Sequence, residues 1–210
     1  MSAREEILAA IRAAGCTAVP APERHYQQQD LLSPAQSRAR FIERVIDYGV
    51  KVTEIQGENS IAMAVADVCA ARGITILVAS PHCPWVWRPD GITLIEDHGL
   101  PIEQLATIPA ALTGAACAIA ETGTLVLDGT AAQGRRAISL LADFHICVLY
   151  ADQIVECVPV AIAALHEAAL RHRPITLISG PSATADIEFD RVQGVHGPRQ
   201  LDLILVENRA

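Results

Sequence analysis

Apolar side chains at Ile7, Leu8 and Ile11 alternate with charges at the spacing of one helical face, so residues 2–14 are expected to form an amphipathic helix. Ser2 suits its N-cap, with Glu5 three positions on. Residues 16–33 lose the period and collect Pro20, Pro22 and Gln27-Gln28-Gln29, which reads as a linker or a loop lying on the body. From Pro34 helical stretches alternate with short apolar runs: helices near 34–48 and 58–72, strands at Val50–Ile55 and Ile74–Ala79. The loop Ser80–Asp90 holds three prolines and both tryptophans and interrupts the rhythm before a strand at Ile92–Ile95. A helix near 101–113 then precedes two apolar runs, Ala116–Ala120 and Thr124–Asp128, broken by Glu121-Thr122-Gly123, as in a strand–turn–strand. Residues 134–142 read as helix, His145–Tyr150 as a buried strand, Cys157–Arg171 as helix, and Ile175–Ser179 and Leu201–Val206 as the last strands. This alternation predicts an α/β protein, with an N-terminal helix and linker arm over 1–33 and a single domain over 34–210.

Composition narrows the partners. The 210 residues suffice for one well-buried domain. Although 51% of them are apolar, no uninterrupted apolar run reaches the roughly 18 to 20 residues of a membrane helix. The first residues mix charges with helical spacing and lack the apolar core of a secretory signal, so a cytoplasmic location is expected and no membrane contact. A net charge of −8 and a single lysine, Lys51, argue against nucleic acid, whose affinity rests on clustered Lys and Arg. Six cysteines are present, yet no two form Cys-x-x-Cys, so the iron–sulfur and zinc-ribbon signatures are missing and no metal or cofactor is expected on this chain. Cys69, Cys117, Cys147 and Cys157 lie in apolar surroundings that suit core thiols. Cys83, in Pro81-His82-Cys83-Pro84-Trp85, is the candidate for a reactive one.

Three polar breaks follow apolar runs and hold the candidate chemistry: Glu121-Thr122-Gly123-Thr124, Ser179–Glu188, and Gly194-Val195-His196-Gly197-Pro198. In the second, Gly180 suits a sharp turn and Pro181 a first helical turn. A helix starting there would offer backbone N–H groups to an anion, with Ser182 or Thr184 as cap or ligand contact. Sharing one sheet edge, the three breaks would wall a pocket for a small anionic ligand. Its groups would be Glu121 as base or nucleophile, His196 for proton transfer, and Thr122, Gly123, Thr124, Ser179, Gly180, Ser182, Thr184, Asp186, Glu188, Gly194 and Gly197 around the ligand. Taken singly, Glu121 is equally a solvated turn residue, and Ser182 and Asp186 are equally helix caps. His145, opening a buried strand, reads as a structural histidine.

The same segments, together with Arg136-Ala137-Ile138-Ser139-Leu140-Leu141 and Ala118-Ile119-Ala120 before Glu121, resemble in order the LUD-domain family, over nearly the whole chain. The resemblance implies a three-layer αβα fold similar to the ribose-5-phosphate isomerase, glucosamine-6-phosphate deaminase and CoA-transferase group. It also implies a cluster-free subunit working with two iron–sulfur companion proteins in oxidising L-lactate to pyruvate. The iron–sulfur clusters would then sit on the partners, and this chain would bind a small anionic ligand or organise the complex. Two other functions stay open: a stand-alone enzyme on a sugar phosphate, folate or CoA ester using Glu121, and a regulatory ligand-binding protein without turnover.

Overall fold

The computed structural model describes residues 2–15, 23, 25–185, 191–193 and 197–209. Its helices are α1 (Ala3–Ala13), α2 (Pro34–Asp47), α3 (Ile61–Ala70), α4 (Ile102–Leu105), α5 (Arg136–Leu141), α6 (Val158–Ala164) and α7 (His166–Leu170). Its strands run from β1 (Lys51–Gly57), β2 (Ile76–Ala79), β3 (Thr93–Glu96) and β4 (Ala110–Gly114) through β5 (Cys117–Ile119), β6 (Thr124–Leu127), β7 (Phe144–Tyr150) and β8 (Ile154–Val155). The last four are β9 (Thr176–Ile178), β10 (Ala183–Ala185), β11 (Arg191–Gln193) and β12 (Gln200–Asn208).

Six strands form a parallel sheet in the order β1-β12-β7-β4-β2-β3. Its central strands are apolar on both faces, as a sheet covered on both sides requires; every residue of β4 and β7 is buried. One face, carrying Leu77, Leu112, Phe144, Ile146, Val148 and Ile204, packs on Ile61 and Val65 of α3 and on Trp87. The opposite face is covered by two separate units. Val78 and Ala111 lie against Leu105, Ile108 and Ile138 around α4 and α5. Cys147, Leu149, Leu203 and Leu205 lie against Phe41 and Val45 of α2 and against Ala118 and Leu125 of a second sheet, ordered β8-β5-β6-β9. The outer face of that sheet, Cys117, Ile119 and Val126, packs on Ala161 and Leu165 of the α6–α7 layer. The α/β expectation therefore holds, with helices on both faces of a parallel sheet. Among the described residues no helix is long and apolar enough to cross a membrane.

Local chemistry sets the helix starts. Ser2 with Glu5, and Ser33 with Gln36, form capping boxes, and Pro34 occupies the first turn of α2. No residue of α1 is buried; Ile7 and Ile11 of its apolar stripe are 61% and 59% exposed. The segment before α2 does lie on the body: the Glu156 carboxylate accepts the Leu31 and Leu32 N–H groups, the latter at 2.7 Å, while the Glu156 N–H donates to Asp30 at 2.8 Å.

Three expected helices differ in the structure. The one near 101–113 ends at Leu105, and Ala110–Gly114 is instead β4, paired with β2 and β7. Pro109 cannot continue a helix, and the ladder on both sides outweighs the helical preference of the alanines. After β9, no helix starts at Pro181 or Ser182; Ala183–Ala185 form β10, which pairs antiparallel with β11. That turn therefore offers no helix N-terminus to an anion. The expected helix over Cys157–Arg171 is divided at Leu165 into α6 and α7.

Candidate functional site

A cavity of about 330 Å³ opens where the two units covering one sheet face meet, α5 on one side and β9 on the other. From α5 come Arg136, Ser139 and Leu140, at the i, i+3, i+4 spacing of one helical face. The β9–β10 connection contributes Ser179, Gly180 and Ser182, and Gly197 and Pro198 close that side. The floor includes His145 and Leu201, register partners at the amino-terminal ends of β7 and β12. The cavity thus lies at the edge where those parallel strands begin, opposite the carboxyl-terminal edge where open α/β sheets usually bind.

The walls are fixed by specific contacts. Gly180 has φ +84°, and a Cβ there would stand 2.5 Å from the Cβ of Tyr48, just past α2. Glycine is required on both counts. The Ser182 N–H donates to the Pro198 carbonyl at 2.8 Å, and a Cβ on Gly197 would press on Ser182 at 3.3 Å. Beside α5, the fully buried Asp97 carboxylate accepts Arg135 Nε at 2.5 Å and Nη2 at 2.9 Å, and also the N–H groups of Gly99 and Leu100. Burial alone would raise the Asp97 pKa, but the Arg135, Leu100 and Gly99 hydrogen bonds outweigh it and hold the carboxyl below its ordinary value. Arg135 is pinned there, and Arg136 follows as the first residue of α5.

His145 is 1% exposed and its Nε2 lies 2.7 Å from Thr113 Oγ1. Burial pushes its pKa down to about 4, so the imidazole is neutral at pH 7. Arg136 is then the one cation among the described lining residues, and they include no carboxylate.

Of the residues predicted from sequence, Ser179, Gly180, Ser182 and Gly197 line this cavity. Thr122 and Thr124 connect to it through hydroxyls: Thr122 Oγ1 to Thr124 Oγ1 is 2.7 Å, and Thr124 Oγ1 to Ser179 Oγ is 2.8 Å. Glu121 is exposed on the β5–β6 turn, its N–H donating to the Glu156 carbonyl, and it is not among the lining residues. Gly123 is buried under α2, where a Cβ would come within 2.8 Å of the Arg44 backbone. Thr184 has its backbone in β10. Asp186, Glu188, Gly194 and His196 lie outside the described residues.

His145, read from the sequence as structural, and Arg136 and Ser139, within the motif segment Arg136–Leu141, join the cavity without having been assigned to it. A histidine in an otherwise apolar strand, and an Arg-x-x-Ser pair on one face of a short helix, were the available signals. Cys83, the candidate for a reactive thiol, is buried: it is 5% exposed, and burial, opposed by Arg88 and reinforced by Glu96, raises its pKa to about 11. In the same loop Trp87 is buried against Tyr150, ring centroids 6.5 Å apart, whereas Trp85 is 79% exposed. Among the described residues no three His, Cys, Asp or Glu side chains converge as metal ligands would.

Comparison with known proteins bears on the same residues. The LUD domain family model matches residues 98–206, a range that includes every described residue lining the cavity. Lactate utilization protein C of Deinococcus radiodurans is 41% identical over 189 residues, 90% of this chain and 84% of that protein. The protein of the same name from Halalkalibacterium halodurans is 37% identical over 112 residues, 51% of this chain and 48% of the other. A crystal structure of a DUF162 family protein from Deinococcus radiodurans aligns with a TM-score of 0.72 at 35% identity, covering 83% of this chain and 99% of that one. With its fold, its motif segments and its match to that family model in agreement, the chain belongs to the LUD domain family.

Proposed function

We propose that this protein serves lactate utilization as the cluster-free subunit of an iron–sulfur system oxidising L-lactate to pyruvate, and that it binds an anionic ligand in the α5–β9 cavity. The relatives named lactate utilization protein C support the process. The observation that carries the site is the meeting of three motif segments, Arg136–Leu141, Ser179–Ala183 and Gly197–Pro198, around one cavity with a single cationic side chain among its described walls. In this reading the two companions hold the clusters and pass the electrons, while Arg136 and the serine hydroxyls hold an anion.

The test mixes the purified chain with its two iron–sulfur companions and follows co-elution and L-lactate-dependent dye reduction. Association and a rate that depends on this chain are expected, with Arg136→Gln and Ser182→Ala lowering the rate at least tenfold while co-elution persists. Absence of both association and dependence would overturn the subunit reading. Turnover of a sugar phosphate, folate or CoA ester by the isolated chain, lost in Glu121→Gln, would replace it with the stand-alone enzyme.

A further inference from the structure

We infer that the cavity takes a monoanionic carboxylate whose apolar body is considerably larger than that of lactate, with the carboxylate on Arg136 and the body between α5 and β9. This rests on the anion-site reading above and goes beyond it in naming the ligand class.

Size is the first argument. A volume of about 330 Å³ holds about eleven non-hydrogen atoms at the ~30 Å³ that a water claims in the liquid. A three-carbon hydroxy acid fills roughly half of that, and the remainder would be unmatched space. Charge is the second. Arg136 is the one charged side chain among the described lining residues, and buried His145, with Nε2 on Thr113, adds no second positive charge at neutral pH. A single negative charge is matched; a second would find no charged partner among the described lining residues.

The third argument is the character of the remaining wall. Leu140, Ile178, Pro181 and Leu201 bring apolar groups to the lining, whereas Leu177, register partner of Val126, turns its side chain to the other face of β9. A hydrocarbon chain lying between Leu140 of α5 and the β9–β10 connection would cover these groups. This is the usual division of labour in a small-molecule site, with a few polar groups fixing one end and apolar walls holding the rest.

Isothermal calorimetry on the full chain with L-lactate, 2-hydroxyoctanoate and inorganic phosphate tests this. Each buried methylene can tighten binding by up to about fourfold, so 2-hydroxyoctanoate is expected to bind one to one and at least tenfold more tightly than L-lactate. Arg136→Gln should weaken both acids about tenfold, and Leu140→Ser should weaken the long acid alone; Arg136 is exposed and Leu140 half-buried, and thermal melts verify folding. Lactate binding as tightly as the long acid would overturn the size argument and leave the anion site standing. Tighter binding of phosphate would overturn the monoanion assignment. Long-acid affinity untouched by either substitution would place it elsewhere and overturn the inference. No binding of any probe, with lactate-dependent dye reduction intact, would overturn the ligand class and leave the subunit reading in force.

Discussion

The hydroxyl of Thr124, the first residue of β6, lies 2.8 Å from that of Ser179, just past the end of β9. The bond joins the turn after β5 to the wall of the cavity, and Thr122 extends it by one more hydroxyl at 2.7 Å. Two of the three polar breaks visible in the sequence are thus coupled by a contact between strands that are antiparallel neighbours.

Thr124 is 4% exposed, so replacing it with the near-isosteric valine removes the hydroxyl without opening space. Thr124→Val is expected to cost about 1 kcal/mol, read as a lower urea midpoint at unchanged slope. In a double-mutant cycle with Ser179→Ala the coupling should be of similar size. Strictly additive effects would show that the bond contributes nothing.

Gly180→Ala combines a positive φ with a Cβ placed 2.5 Å from Tyr48 Cβ. A loss of about 2–3 kcal/mol is expected in urea unfolding. Adding Tyr48→Gly, which removes that Cβ, should relieve the steric part and leave the backbone part, so Gly180→Ala is expected to cost less in the Tyr48→Gly background than in the wild type.

Asp97→Asn removes a buried charge that holds Arg135 and two backbone N–H groups. Breaking a buried pair from one side costs about 3–5 kcal/mol, and because Arg135 is 38% exposed a value near the lower end is expected at pH 7. With the Asp97 pKa lowered on folding, its contribution is present above the ordinary carboxylate value and lost as pH falls through the folded one. The variant's stability should therefore vary less than the wild type's below about pH 4, measured by urea unfolding across pH.

His145 acts in a higher pH window. Its pKa falls from 6.5 to about 4 on folding, so the unfolded chain binds the extra proton first. Stability is complete above pH 6.5 and declines as pH drops toward 4, by up to about 3 kcal/mol in all. His145→Gln should flatten the stability profile between pH 6.5 and 5, a range in which the carboxylates with lowered pKa values stay ionised. An unchanged profile would mean that His145 is protonated in the folded protein.

The alternating apolar runs made most of the sheet legible, because strands such as His145–Tyr150 are buried on both faces and leave no competing pattern. Ala110–Gly114 was hidden because alanine and leucine suit either state, and only pairing with β2 and β7 decides between them. Ser179–Glu188 stands out in the sequence as a turn opening a helix, whereas Ala183–Ala185 form a hairpin strand instead. Arg136 and His145 are not legible as pocket residues for a related reason. One is an ordinary helical arginine and the other an ordinary core histidine until α5 and β9 are set beside each other on the same sheet face.

The floor of the cavity belongs to the parallel sheet, while much of its rim belongs to the separate β9–β10 connection and to one short helix. Selectivity in such a molecule can diverge by editing a hairpin and two or three positions on α5, leaving the buried strands of the sheet untouched. The carboxyl-terminal edge of that sheet, where α/β folds customarily evolve their chemistry, is then free to change on its own schedule.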